Sequence, residues 1–350
     1  SDFSPAGQQS QATSINADKS LSTSVGSGTL TASLAADQPV GGTLAKGATA
    51  VTVLKAGVKN SGSAAMVVDS LTVHRAGSGL AADVANAYVY SGNDRLTTGR
   101  TINSTTHDAS FSGLNLSLAA GETKTVSIVV DLAAGASPAD QHSFALVALA
   151  SGSTLASGLP LSGPTFTISN ATAGSVSVSK SGTITNPKAG QLGAKVAEFQ
   201  LNAGAAEDID FAKIAIYQGG SVSRDKFSNL VLKQAGNTLA TVVALNSKDL
   251  AVFVLATPML IEKGNTKTFE VFADMAGSAR SAETVKFYLD QTTDVLAVGR
   301  TYMSGVTVTD VTYDGSTACT SAAGDCSYST VDAGQLTLTF NGPAVKDVAA

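Results

Sequence analysis

The block Gly121-Glu-Thr-Lys-Thr-Val-Ser-Ile-Val-Val-Asp131 recurs as Gly264-Asn-Thr-Lys-Thr-Phe-Glu-Val-Phe-Ala-Asp274, an offset of 143 residues at both ends. Leu71 aligns with Ile214 and Asn86 with Asn229 at the same offset, so several segments keep one register. Asn60 and Asn202 are one residue out of that register, the kind of slip that loops tolerate. A chain of 350 residues with this period holds two complete units of ordinary domain size.

Each copy is written in short alternating segments, such as 50–56, 125–131 and 143–149, separated by Gly, Asn, Asp and Ser clusters. Period-two alternation buries one face of a pleated strand, and turns at that spacing return the chain antiparallel to itself. No window sustains a helical apolar rhythm. The chain has no Trp and 5% aromatic residues against 43% apolar ones, so Val, Leu, Ile and Ala must build its core. These features predict an all-β chain of two tandem antiparallel Ig-like β-sandwich domains with extended terminal segments. The predicted divisions are an N-terminal arm over 1–27, repeat 1 over 28–170 and repeat 2 over 171–312. A cysteine-containing loop or linker over 313–333 and a C-terminal strand segment over 334–350 follow. Gly121 and Gly264 are predicted to turn the chain at positive φ. Asp131 and Asp274 are predicted to bond the backbone of the turn that follows them.

Charged residues are 14% of the chain, against about 25% in an average globular protein, and the net charge is −5 without a basic stripe. That excludes the electrostatic footprint of nucleic acid or an anionic membrane surface. The longest apolar run, 250–261, is broken by Pro258 and is too short for a spanning helix. The start Ser1-Asp2-Phe3 lacks Met and reads as a mature form. Cys319 and Cys326, the only cysteines, close a polar Gly/Ser/Ala loop and read as a disulfide in an extracytoplasmic setting, with two free thiols as the alternative.

Candidate chemistry is sparse. His74, His107 and His142 all fall in copy one without counterparts in copy two, and they read as scattered surface histidines. No nucleophile elbow accompanies them, so the expectation is a non-enzyme with no catalytic or cofactor-binding residues. Glu207, Asp208 and Asp210 could offer hard oxygen ligands to calcium, with a solvated loop as the alternative. Asn103, Asn115 and Asn170 head Asn-x-Ser/Thr sequons in Ser/Thr-rich surroundings expected to be exposed, which permits glycosylation.

Residues 334–340 repeat the opening strand of each copy, 28–34 and 174–180, with Leu336, Leu338 and Phe340 on one face. A lone strand cannot satisfy its backbone or bury that face. Either the natural chain continues, or this strand and the 1–27 arm complete a neighbouring subunit by strand addition.

The stretch Asp69-Ser-Leu-Thr-Val-His-Arg-Ala-Gly-Ser-Gly79, the segment Asp83-Val-Ala-Asn-Ala-Tyr-Val-Tyr-Ser-Gly-Asn-Asp-Arg-Leu96 and the Ala-Gly-Glu-Thr-Lys-Thr strand at 120–125 together resemble tandem Ig-like β-sandwich repeats of secreted bacterial surface proteins, of surface-layer, fibre or adhesin type. The resemblance spans about 28–310. It implies an extracellular, cell-surface structural role. The leading expectation is a subunit that self-assembles with copies of itself into a filament, sheath or surface layer by strand exchange. The alternative is an adhesin or carbohydrate-binding surface protein with a glycan partner.

Overall fold

A computed structural model describes residues 29–334, apart from 317, 318 and 322 and the side chain of residue 310. The arm over 1–27 and the segment carrying Leu336, Leu338 and Phe340 lie outside the described residues. The described chain divides into two compact units. The first runs to Ala173 and takes in Tyr302–Thr307; the second holds Gly174–Thr301 and continues from Val308.

In the first unit the strands are β1 (Leu30–Leu34), β2 (Gly42–Lys46), β3 (Val51–Asn60), β4 (Met66–Ala76), β5 (Val84–Ser91), β6 (Asp94–Arg95), β7 (Asp108–Leu118), β8 (Thr123–Leu132), β9 (Gln141–Ser151), β10 (Thr154–Leu155) and β11 (Leu161–Thr172). They form one sheet in the order β1-β3-β8-β5-β6 and another in the order β2-β11-β9-β4-β7, with β10 against β9. Pairing is predominantly antiparallel, while β11 runs parallel to β2. The core between the sheets is largely aliphatic, with Phe111, Phe144 and Phe166 as its aromatic members.

The second unit contains β12 (Ser175–Lys180), β13 (Ala194–Ala203), β14 (Ile209–Gln218), β15 (Phe227–Gln234), β16 (Asn237–Val242), β17 (Leu250–Ile261), β18 (Thr266–Met275), β19 (Thr284–Tyr288), β20 (Val295–Gly299), β21 (Thr307–Thr312) and β22 (Ser327–Thr330). Its sheets run β16-β15-β18-β13-β12-β21 and β17-β14-β19-β22, with β20 against β14. Where β9 is continuous, its counterpart is split into β19 and β20 by a single 3-10 turn over Thr292–Asp294. The described residues contain three such turns and no α-helix. The core here is more aromatic. Phe199 stacks on Phe269 at 5.5 Å and on Tyr313 at 5.7 Å, and Phe211 tilts against Phe269 at 5.1 Å. Off-centre ring pairs of this kind add stabilisation beyond the area they bury.

The all-β prediction is what the chain adopts. Gly121 and Gly264 both sit at φ +76°, the left-handed turn expected before the repeated strand. Asp131 and Asp274 require a correction, because they lie inside β8 and β18 rather than in turns. Asp131 accepts the Ala50 N–H at 2.7 Å, and Asp274 accepts the Gly193 N–H at 2.7 Å. Each carboxylate therefore pins a loop that is distant in sequence. Hydrogen bonds from Asn229 and from the Gly193 backbone hold the Asp274 carboxyl below the usual carboxylate range.

The stretch over 313–333 is more than a linker. Cys319 and Cys326 are disulfide-bonded, and beyond the bridge β22 pairs with β19, so Thr284 faces Thr330 and Phe287 faces Ser327. Tyr313, Cys326 and Val331 are buried. The Tyr313 hydroxyl bonds Ser327 Oγ at 2.8 Å, and burial pushes its phenol up.

Candidate functional site

Both units build the same loop corner from equivalent backbone. In the first, β4 leads through Gly77–Gly79 into a 3-10 turn over Ala81–Asp83; in the second, β14 leads through Gly220–Val222 into a turn over Arg224–Lys226. The Gly79 N–H bonds Gln141 O at 3.1 Å, and the Val222 N–H bonds Thr284 O at 3.1 Å. Gly77 and Gly220 sit so close to those strands that an added Cβ would lie 2.1 Å from Gln141 O and Thr284 O respectively. The Arg75 N–H bonds His107 O and the Gln218 N–H bonds Asp249 O, and both acceptor residues hold positive φ, +57° and +58°. One scaffold thus presents two sets of side chains.

In the first unit the set is ionic and buried. The inward phase of β4 carries Val73 and then Arg75, and that of β9 carries His142 and then Phe144. Arg75, His142 and Asp83 are 3%, 1% and 4% exposed. Arg75 Nη1 donates to Gly79 O at 2.5 Å and to His142 Nδ1 at 3.1 Å, and Nη2 reaches His107 Nδ1 at 3.3 Å. A guanidinium only donates, so His142 Nδ1 accepts and its proton sits on Nε2. That nitrogen lies 3.3 Å from Asp83 Oδ2 without hydrogen-bond alignment. Asp83 accepts the Leu80 N–H at 2.9 Å and the Ser137 N–H at 3.1 Å. On the outer side His74 Nδ1 meets Asp108 Oδ1 at 2.8 Å, and the His74 and His107 rings stand edge-to-face at 6.4 Å.

His107 and His142 therefore meet one arginine, and His74 stands against the His107 ring, rather than all three being scattered over the surface. Burial pulls the His142 pKa down, and Arg75 adds to the effect, while Asp83 and Asp140 oppose it. Burial likewise works against the Arg75 charge, offset by Asp83 and Asp140. With both ring nitrogens facing protein groups, His142 serves to lock the loop.

In the second unit the corner is neutral at its base and open above. Gln218, also buried, donates to Val222 O at 2.9 Å, as Arg75 does to Gly79 O. Its Oε1 accepts from Gly220 N at 3.1 Å and Lys286 N at 2.9 Å. A cleft of about 590 Å³ opens here, lined by Tyr217, the Gly219–Ser223 backbone, Arg224, Asp225 and Asp249. Tyr217 packs edge-to-face on Tyr288 at 5.4 Å. Burial, then Tyr217 and Asp290, push the Tyr288 phenol up to about 12.

The acidic trio is placed otherwise than a calcium site requires. Glu207 is buried, with Oε1 accepting Gly174 N at 2.8 Å and Oε2 accepting Thr301 N at 2.7 Å. Asp208 caps Lys263 N at 2.9 Å, and Asp210 takes both its oxygens to Arg300. No group of three metal-ligating side chains gathers among the described residues. Asn103, Asn115 and Asn170 are all exposed and all in the first unit. Asn103 Oδ1 also accepts from the Thr105 and Thr106 N–H groups, closing its own loop.

No protein-family description matches the sequence, and neither does any curated protein. Solved structures give remote likenesses. One is the C-terminal domain of the antigen I/II-family protein AspA of Streptococcus pyogenes, at 8% identity over 81% of this chain and 98% of that one, with a TM-score of 0.20. A second is a lectin from Pleurotus ostreatus in complex with GalNAc, at 11% identity over 79% and 90%, with a TM-score of 0.19. A third is the secreted serine protease VesC from Vibrio cholerae, at 11% identity over 68% of this chain but 46% of the protease, with a TM-score of 0.17. The fold defines a two-unit β-sandwich protein, in which no helix among the described residues is long and apolar enough to cross a membrane.

Proposed function

We propose that this chain is an extracellular structural subunit that associates with copies of itself at the cell surface by strand addition, performing no catalysis. The acceptor in this reading is β17, and the observation that carries it is a contrast between the two copies. Strand β17 ends its sheet, and its twelve residues, LAVFVLATPMLI, include no charge. Its side chains Val254 and Leu260 are 45% and 38% exposed. The equivalent edge in the first unit, β7, turns Ser110, Ser112, Asn115 and Ser117 outward instead. Edge strands present unpaired backbone groups, and proteins ordinarily blunt them with polar or charged residues. The first copy does so; the second leaves an apolar edge on which a further strand can pair.

Pro258 removes one backbone donor, which confines pairing to the stretch before it. The matching donor is the 334–340 segment of a second copy, whose Leu336, Leu338 and Phe340 repeat the alternation of an added strand. The disulfide and the low charge content support the extracellular setting.

The test is sedimentation velocity of the full chain over a concentration series. Burying Val254, on the stretch before Pro258, contributes about 1 kcal/mol, so Val254→Lys weakens association by at least about fivefold. Deleting 335–350 is expected to have the same effect. A wild-type chain that stays monomeric throughout, or variants that associate as the wild type does, would overturn the proposal.

A further inference from the structure

The geometry points to the cleft of the second unit as a binding site for a neutral saccharide. The inference is independent of assembly, because it uses none of the residues of β17 or of the terminal strand.

The first observation is the divergence of the two corners on one backbone. In the first unit the space beside the loop is filled: a Cβ on Gly79 would lie 2.3 Å from His142 Cε1. In the second, buried Val285 stands where His142 stands and buried Val222 where Gly79 stands, so neutral aliphatic side chains close the base of the corner. Tyr217 stands where His74 stands, Gln218 replaces Arg75 and Asp249 replaces His107. Above that base the loop keeps its hydrogen bonds, and the cleft leaves a concave polar surface on a rigid strand end.

The second observation is what the lining can and cannot recognise. A glycine-rich run before a 3-10 turn invites an anion, but its N–H groups are engaged inward: Gly219 with Lys286 O, Gly220 with Gln218 Oε1, Ser221 with Thr284 Oγ1 and Val222 with Thr284 O. No nest of free donors remains for phosphate or carboxylate. The charges come as opposed pairs, Asp225 with Lys226 at 2.7 Å and Arg224 with Asp249 at 3.4 Å, so a charged ligand finds no uncompensated partner.

What the cleft offers is a planar donor, Arg224, beside a planar acceptor, Asp249, both partly exposed, and the half-buried ring of Tyr217 held edge-on by Tyr288. Adjacent sugar hydroxyls each donate and accept, which suits a neighbouring guanidinium and carboxylate. The C–H face of a pyranose suits an aromatic ring whose other end is polar.

The test is saturation-transfer NMR on the full chain with free glucose, galactose, mannose and N-acetylglucosamine, and with N-acetylneuraminic acid and inorganic phosphate as charged probes. Transfer to at least one neutral sugar is expected, weakened about tenfold in Tyr217→Ala and in Asp249→Asn, and unchanged in His74→Ala of the other unit. Asn accepts the positive φ at position 249, so Asp249→Asn carries the test if Tyr217→Ala does not fold. The inference is overturned if no neutral sugar receives transfer, if only the charged probes do, or if binding survives Asp249→Asn.

Discussion

Replacing Asp83 by Ala tests whether the buried ionic corner holds the first unit together. The carboxylate accepts two backbone N–H groups, from Leu80 at 2.9 Å and Ser137 at 3.1 Å, and is the counter-charge nearest His142. Its removal orphans two partly buried donors, at about 1–2 kcal/mol each. It also leaves Arg75, 3% exposed, with less negative charge around it. The two lost hydrogen bonds together with the weakened surroundings of the Arg75 charge set the expectation for Asp83→Ala at about 3 kcal/mol. The assay is hydrogen exchange by mass spectrometry on the full chain, reading β4 and β9 with β14 and β19 as the internal control. A loss of 3 kcal/mol speeds exchange through the opened state by about 100-fold. The second unit is expected to be unchanged. Adding Arg75→Met to Asp83→Ala should restore part of the protection, since the charge needing a partner is then gone. Protection in β4 and β9 within about threefold of wild type would refute the reasoning.

Two further outcomes follow from the same corner. His142 is kept neutral by burial and by Arg75, so its folded pKa lies below the ordinary value of 6.5. The unfolded chain then binds more protons than the folded one as pH falls from 6.5 towards the folded value. The first unit loses stability over that window and keeps it at higher pH; urea midpoints at successive pH values should show the slope, and His142→Gln should abolish it. In Gly79→Ala the new methyl would meet the His142 ring at 2.3–2.4 Å, costing about 1–3 kcal/mol, whereas Gly135→Ala, with open space around it, should be silent in the same denaturation curves.

Much of this fold was written in local pattern. The repeated Gly-x-Thr-Lys-Thr block marks β8 and β18, and period-two alternation locates most other strands. The disulfide was legible because two cysteines in one short polar loop leave few other pairings. The ionic corner was not read, although its signal was present: Arg75 continues the inward phase of Leu71 and Val73, and His142 that of Phe144 and Leu146. Polar residues on a core phase announce a buried network, but their partners come from β9, a 3-10 turn and the loop before β7, and only strand pairing brings these together. The cleft above the neutral corner was harder still. Tyr217, Arg224 and Asp249 are ordinary surface residues in sequence, and they gain meaning from loop geometry and from comparison with the other copy. The acidic trio was misleading for the opposite reason: neighbours in sequence, Glu207, Asp208 and Asp210 turn to three different partners.

The strand that finishes the second sandwich is delivered late. Because β22 reaches β19 only after the bridged loop, the sheet stays open at that margin while everything up to residue 326 is already in place. During synthesis the first unit can close its sheets well before its neighbour can. A chain stopped at 312 would carry a permanently unfinished edge at β19, so proteolysis or truncation within the loop would act on the folding of the whole second unit and not merely on a decoration of its surface.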